Sequence, residues 1–492
     1  MWLTQLVERN RQCFPDRVAL VDERRSVTWA QFHDRTAELA RGLTELGIER
    51  GDRVAVLSQD RIEVLESYFA LARLGAVFVP LNHSLALPEV AGIIERVGAV
   101  AVFGESDLLD RHASLPASVR IRLALDKPVF DALGTVAGPA PLPEVPDTAP
   151  IAVLHTSATT GQAKGVTVDE ASFRAIALGW LVLARPTDDI VMVNCCPLYH
   201  GSMVVSLTYM AAGATVVLMP GFTPQRALAA VERHRATHMW LVPQMLRFML
   251  QAKSSHSTDL SSLREILYGA APMPLDVYAD AVDRLGCGFR QVYGMTEVGG
   301  PFVTLGPDEH PAPGDVSARI PCGRVVPGMS ARAVDKEGRE APRGEIGEIV
   351  VRGPGIMQGY WDDPEATREV TLDGWILTGD LGFVDEDGRI HLVDRSKDLI
   401  IRAGQNVYPS EIERVLMTHP AVQDAAVVGT DDEDYGEVPL AYVVAEEGTA
   451  AATLLGHVAA NLAPYKRPRR IEFIEQVPRN PAGKIIKKLL RA

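Results

Sequence analysis

The sequence predicts an α/β protein of more than one domain: a large N-terminal part of helix-covered, largely parallel sheets, a small β-rich subdomain, and a small α+β C-terminal domain. Three observations carry this. Up to about residue 300, short apolar runs alternate with helical apolar stripes, the pattern of repeated βα units. From 320 to 393 the texture changes to short strands between Gly/Pro turns, as in Gly344–Gly353. The 98 residues after Asp394 mix strand and helix patterns and suffice for a separate domain. The expected boundaries are 1–394, with 320–393 as the β-rich subdomain, and 395–492.

Taken in order, Asp52–Leu57 reads as a buried strand. Ile62, Leu65, Phe69 and Ala72 then form a helical stripe that Gly75 closes. Ala76–Pro80 is the next strand, and the Pro-rich piece Ala137–Pro150 reads as a linker. After the strand Ile151–Leu154 and a polar loop, a helical pattern follows, with Phe173, Ile176, Ala177, Trp180 and Ala184 on one face and Pro186 beyond its end. Further strands are expected near 190–193, 214–219, 238–242, 265–268 and 288–292. Ligands of such folds sit at the carboxyl ends of strands. Three glycine-containing turns follow strands here: Thr156–Gly165, Tyr268–Pro272 and Tyr293–Glu297.

With 47% hydrophobic and 23% charged residues, the composition is that of a globular protein with ample core material. A net charge of −14 argues against general nucleic-acid binding and against adsorption to anionic membranes. Cys13, Cys195, Cys196, Cys287 and Cys322 show no C-x-x-C spacing, so reduced thiols in a cytoplasmic protein are expected. The N-terminal residues are too charged for a secretory signal. The charge-free stretch Gly201–Thr223 holds Gly213 and Pro220, and reads as a short buried helix and a strand, not a membrane span.

The loop that follows the strand Ile151–Leu154 says most about chemistry. The run His155–Val166 holds four hydroxyl side chains, two glycines and one lysine, with no bulky residue among them. Hydroxyls and backbone N–H groups of such a loop can surround a polyphosphate while Lys164 supplies positive charge. A surface turn of small polar residues has the same composition. It is not a Walker loop, because Gly165 follows Lys164 where Ser or Thr is required. No G-x-S-x-G elbow, G-x-G-x-x-G fingerprint or metal-spaced His/Cys cluster supports a hydrolase or dehydrogenase.

Further motifs stand in order along the chain: Pro197–Gly201, Tyr293–Glu297, Trp375–Asp380, Asp394–Asp398, Gly404–Glu411 and Asn480–Ile485. Together with Thr156–Gly165, they make the chain resemble the acyl-adenylate-forming superfamily of AMP-binding enzymes: acyl-CoA synthetases, beetle luciferases and peptide-synthetase adenylation domains. The resemblance runs from Gly75–Asn82 to Lys484 and is greatest to a stand-alone acid–CoA ligase.

It implies that Thr156, Ser157, Ala158, Thr159, Thr160, Gly161 and Lys164 hold the ATP phosphates. Gly269, Ala270, Ala271 and Tyr293, with Gly294 and Met295, would flank the adenine. Thr296 would contact the α-phosphate, and Glu297 with Thr156 would hold Mg2+. Asp380 would accept from the ribose hydroxyls, with Arg395 close by. Lys484 would serve adenylate formation, Lys397 would mark the hinge on which the C-terminal domain rotates, and Gly404 would border the channel for the pantetheine arm. His200 resembles a gate between acid and thiol, although a lone histidine on an apolar wall is also a common core residue. Gly201, Trp240, Gly294, Val298 and Gly299 would line the acid pocket with it. Ala158 and Ala163 depart from the family's usual Gly and Pro, which bears on loop mobility and turnover.

The chemistry suits these residue types. A carboxylate attacking the α-phosphorus builds negative charge that a lysine stabilises. Magnesium takes oxygen ligands such as Glu297. The expected reaction is ATP-dependent formation of an acyl-AMP, then transfer to the CoA thiol. Leu198, Tyr199 and His200 stand where an amino-acid-activating domain carries aspartate, and 202–205 and 239–245 are mostly apolar. An aromatic or medium-chain aliphatic acid without an α-amine is therefore expected. A carrier-protein thiol in trans, or an amine, is the alternative acceptor; a degenerate nucleotide sensor is the alternative of another class. The residues leave the oligomeric state open.

Overall fold

The computed structural model describes the chain except residues 1, 113, 134–143, 157–162, 200, 314, 316–318, 480–484 and 492. It forms two compact units. The larger takes in Met1–Ala158, Gln162–Ser330 and Arg352–Thr371, and the smaller takes in Ala331–Val351 and Leu372–Ala492. The β-rich stretch is thus shared out, with 331–351 and 372–393 grouping with the C-terminal residues.

Two sheets make the larger unit. In the seven-stranded sheet, Ile121–Ala124, Ala101–Gly104, Arg53–Leu57, Val77–Leu81 and Pro150–His155 run parallel in that spatial order. Gly165–Asp169 and Gly359–Tyr360 complete it antiparallel. The nine-stranded sheet is parallel from Val18–Val21 through Thr215–Leu218, Val191–Asn194, His238–Leu241 and Glu265–Gly269 to Gly288–Met295, with antiparallel strands at both edges. Helices cover these strands because the strands are apolar on both faces: Val54–Leu57 and Val77–Leu81 are buried throughout. The charge-free stretch folds as the helix Ser202–Ala211 and the strand Thr215–Leu218. No helix among the described residues is long and apolar enough to cross a membrane.

The structure corrects one expectation about the loop. A strand, Gly165–Asp169, leaves it, and the helix begins only at Glu170. The β-branched Val166-Thr167-Val168 favours extended backbone, and Asp169 caps the helix by accepting from the Ser172 N–H. The loop is therefore the connection of a β-hairpin and not a strand-to-helix turn. Likewise Tyr293, Gly294 and Met295 belong to the strand Gly288–Met295, and only Thr296–Val298 turn.

The helix Ile62–Leu74 is buried on every side, including Glu63 and Glu66. Arginines make this tolerable. Arg61 Nε lies 2.7 Å from Glu63, and Arg25 Nη2 lies 2.9 Å from Glu66. Gly75 ends the helix at φ 71°, as the sequence predicts, and a Cβ there would meet Val145 Cγ2 at 3.0 Å and Arg50 Cγ at 3.1 Å.

In the smaller unit, Gly347–Arg352, Trp375–Val384 and Ile390–Arg395 form an antiparallel group. A second sheet is built on Val422–Asp432 and Gly436–Ala445, with the helices Pro409–Met417 and Ala451–Asn461 supplying its core. Lys487 Nζ lies 2.9 Å from the largely enclosed Glu413 carboxylate, which anchors the C-terminal tail.

Gly75→Ala forces a Cβ into left-handed backbone and against two side chains. We expect a loss of about 1–2 kcal/mol, seen as a thermal midpoint lowered by a few degrees. An unchanged midpoint would show that the helix end relaxes freely.

Candidate active site

The base of the polar loop is clipped across the hairpin. His155 pairs with Gly165, the Thr156 N–H donates to the Lys164 carbonyl at 3.0 Å, and the Lys164 N–H donates to Thr156 Oγ1 at 3.3 Å. Ser157, Ala158, Thr159, Thr160 and Gly161 lie outside the described residues. Burial beside Arg96 pushes the His155 imidazole down to about 4, so it is neutral at physiological pH.

A residue that the sequence reading missed ties this hairpin to Glu297. Tyr360 pairs with Val166 on the edge of the sheet. Its hydroxyl donates to Glu297 Oε1 at 2.8 Å, and Lys164 Nζ stands 4.9 Å from its ring centroid. On either side, the Met357 N–H donates to the Glu297 carbonyl at 2.8 Å, and the Trp361 N–H donates to the Gly165 carbonyl at 2.7 Å. Five consecutive residues thus stitch the turn Thr296–Val298 to the loop base. The signal was present as an aromatic between Gly359 and Trp361, but nothing local reveals its partner 63 residues away. Burial and the Glu297 carboxylate both push the Tyr360 phenol well above its usual range, which keeps it a donor. The Lys164 contact to Glu369, at 3.8 Å between exposed groups, adds little.

Around this edge, Val298 is fully buried and Tyr293 packs against Phe302 at 5.1 Å between ring centroids. Gly269 ends its strand, and Ala270 follows with φ 65°, strained backbone for a residue with a side chain. Ala271 comes next, and Gly294, Met295 and Thr296 continue the neighbouring strand into its turn. Gly201 precedes the helix Ser202–Ala211 and Gly299 closes the Thr296–Val298 turn. His200 lies outside the described residues. The Leu198 N–H beside it donates to Asp60 Oδ1 at 2.9 Å. Asp60 is a second residue that sequence reasoning missed, and burial raises its carboxyl to about 7.

In the smaller unit, Asp380 and Arg395 are cross-strand partners. Arg395 Nε reaches Asp380 Oδ1 at 2.8 Å, and the Asp380 N–H donates to Thr378 Oγ1 at 3.1 Å. Lys397 is exposed in the turn Ser396–Asp398, and partial desolvation there lowers its ammonium below the usual range. Gly404 has φ 79°, but a Cβ there would meet nothing within 4 Å. Its backbone angle, and not crowding within this chain, is what favours glycine. Lys466, Arg469 and Arg470 of the basic run near 465–470 pair with Glu411, Asp432 and Glu472. Lys484 lies outside the described residues, whereas Arg479 and Ile485 on either side of it form a β-bridge.

No cluster of three or more His, Cys, Asp or Glu suited to a metal occurs among the described residues. The donors expected for magnesium, the Glu297 carboxylate and the Thr156 hydroxyl, are oxygen ligands on stitched elements. They fit an ion held by one carboxylate and the phosphates of a bound nucleotide.

The chain belongs to the AMP-binding enzymes: their family model matches residues 7–361, and the model of their C-terminal domain matches 411–484. A fatty acid–[acyl-carrier-protein] ligase, ScoC, of Streptomyces coeruleorubidus is 37% identical over 99% of this chain and 96% of its own. A feruloyl-CoA synthase of an Amycolatopsis species is 36% identical over 97% and 96%. Among solved structures, ATP-bound MatB from Rhodopseudomonas palustris superposes with a TM-score of 0.91 at 31% identity, covering 99% of this chain and 98% of that one.

The raised Asp60 carboxyl sets a pH dependence. Between the ordinary value near 3.8 and about 7, the folded chain keeps a proton that the unfolded chain releases, so stability falls as pH rises through this window. Asp60→Asn keeps the acceptor for Leu198 and removes the titration. We expect its thermal midpoint to exceed the parent's at pH 8, with the gain vanishing near pH 4. A pH-independent difference would contradict a raised carboxyl.

Proposed function

We propose that the chain uses ATP to convert a carboxylic acid to its acyl-AMP and passes the acyl group to the thiol of coenzyme A, in the cytoplasm. One observation supports the reading above the others: Tyr360 holds together Lys164 and Glu297 on one edge, a cation and a carboxylate of the kinds that a phosphate loop and a metal-bound nucleotide would use. An acid oxygen attacks the α-phosphorus while the bond to pyrophosphate breaks. The CoA thiolate then attacks the acyl carbon and AMP departs with the electron pair. Carboxylate activation comes first because an ionised acid is a poor acyl donor.

In this reading, Lys164 and the hydroxyls from Thr156 to Thr160 hold the β- and γ-phosphates, and Thr296 meets the α-phosphate. Glu297 and Thr156 hold Mg2+, which neutralises the departing pyrophosphate when bound. Gly269, Ala270, Ala271 and Tyr293 flank the adenine, and Asp380, oriented by Arg395, accepts from the ribose. Lys484 stabilises the charge at the α-phosphorus, Lys397 marks the hinge, and Gly404 borders the thiol path. The acid is aromatic or medium-chain and lacks an α-amine. The feruloyl-CoA synthase supports an aromatic acid and CoA. ScoC favours a second reading, in which a carrier-protein thiol is the acceptor.

Acid-dependent exchange of labelled pyrophosphate into ATP tests adenylation, and adding CoA or holo carrier protein separates the acceptors; no exchange with any acid would reject the reading. Lys484→Ala is expected to slow adenylate formation by about 100- to 1,000-fold while thioester formation from supplied acyl-AMP continues. Equal loss in both steps would remove Lys484 from its role. Tyr360→Phe keeps the ring under Lys164 but frees Glu297. We expect roughly a ten-fold rise in the KM for Mg-ATP, about what one hydrogen bond to a charged group supplies, with a smaller change in kcat. An unaltered KM would show that the hydroxyl is not needed to place Glu297.

A further inference from the structure

Buried N–H groups are nearly always partnered, yet two neighbouring ones in the larger unit find no partner among the described residues. Asn194 ends the strand Val191–Asn194, and Trp240 is its Cα partner on the adjacent parallel strand. Paired residues of parallel strands project to the same face of the sheet. Val193, Met239, Leu241, Ile266 and Tyr268, the alternate positions, join the core on the opposite face. Asn194 is 0% exposed and Trp240 is 5% exposed. Asn194 Oδ1 is occupied, accepting the Cys196 N–H at 3.2 Å. Asn194 Nδ2 and Trp240 Nε1 have no partner among the described residues.

The helix Ser202–Ala211 roofs this face, because its Tyr209 meets His238, two residues before Trp240, at 5.6 Å between rings. Ser206 of that helix carries a third buried polar atom, its Oγ, without a partner among the described residues. The indole leans toward the carboxyl ends of the strands: its outer carbon Cη2 would lie 3.2 Å from a Cβ built on Gly269. Arg290, the cation in the same row through Leu267, is already committed to Glu265 through contacts of 2.7 and 3.1 Å. Two N–H donors without an uncommitted cation suit an uncharged oxygen and do not suit a second carboxylate.

We propose that Asn194 Nδ2 and Trp240 Nε1 form a polar subsite in the acid pocket that receives an uncharged acceptor oxygen, an ether or a ketone, on the tail of the substrate acid. The proposal rests on the acid-activating reading given above. It narrows the substrate class from apolar acids to oxygen-bearing ones, because a site built around buried donors discriminates against a ligand that leaves them dry.

Matched acids test it by pyrophosphate exchange: 4-methoxybenzoate against 4-ethylbenzoate, 4-methoxycinnamate against 4-ethylcinnamate, and 7-oxooctanoate against octanoate. We expect kcat/KM to favour the oxygen-bearing member of at least one pair by about ten-fold or more. Asn194→Leu and Trp240→Phe should each reduce that ratio to within about three-fold, since each removes one donor. Circular dichroism reports folding, and if one variant does not fold, the other carries the comparison. A wild-type ratio near or below one in every pair, the result expected if an ordered water satisfies the donors, overturns the proposal and leaves the ligase reading standing. A ratio that survives both substitutions overturns it as well. Exchange with no acid of either kind overturns the ligase reading and the subsite together.

Discussion

The hydrogen bond from Tyr360 to Glu297 is the constraint on which the candidate site of the larger unit depends. Glu297 belongs to the turn that follows one sheet's last parallel strand, and Lys164 belongs to a hairpin on the edge of the other. Nothing in either sheet alone would fix the distance between them. The segment 357–361 does so with three backbone bonds, one strand pairing and one phenol. The arrangement is electrostatically economical: a single ring presents its face to a cation and its hydroxyl to an anion, so two opposite charges are placed without neutralising each other.

Elsewhere charge is handled by direct pairing. Glu63 and Glu66 sit inside a buried helix because Arg24, Arg25, Arg35 and Arg61 accompany them. In the smaller unit, Glu413 is matched by Lys487. Removing one partner from such pairs strands a buried charge, which is why they specify structure more than they add to stability. Asp380 with Arg395 is the exception in kind. The same local device, a cross-strand carboxylate and guanidinium, falls there on residues that the family resemblance marks for the ribose.

Much of this was legible in the sequence, for physical reasons that differ from element to element. The helix Ile62–Leu74 and its terminal Gly75 were readable because apolar period and left-handed cap are local signals. The parallel strands were readable as apolar runs, and the polar loop by its composition. The strand Gly165–Asp169 was not, because five residues are too few for a period to separate strand from helix. Tyr360 and Asp60 were missed for another reason. Each acts on a residue far along the chain, Glu297 and Leu198, and single-sequence patterns carry no such pairing. The unpartnered donors of Asn194 and Trp240 are likewise invisible until register sets them side by side.

The hairpin at Thr156–Lys164 has one more consequence. Within a helix, each inserted residue rotates everything downstream by about 100°. Here both ends of the loop are pinned by antiparallel pairing, His155 to Gly165 and Leu154 to Val166. Extra residues at the tip would leave that register untouched and lengthen only the reach of the loop. Among chains built on this plan, the loop is thus the part that can vary in length without disturbing the scaffold that carries it.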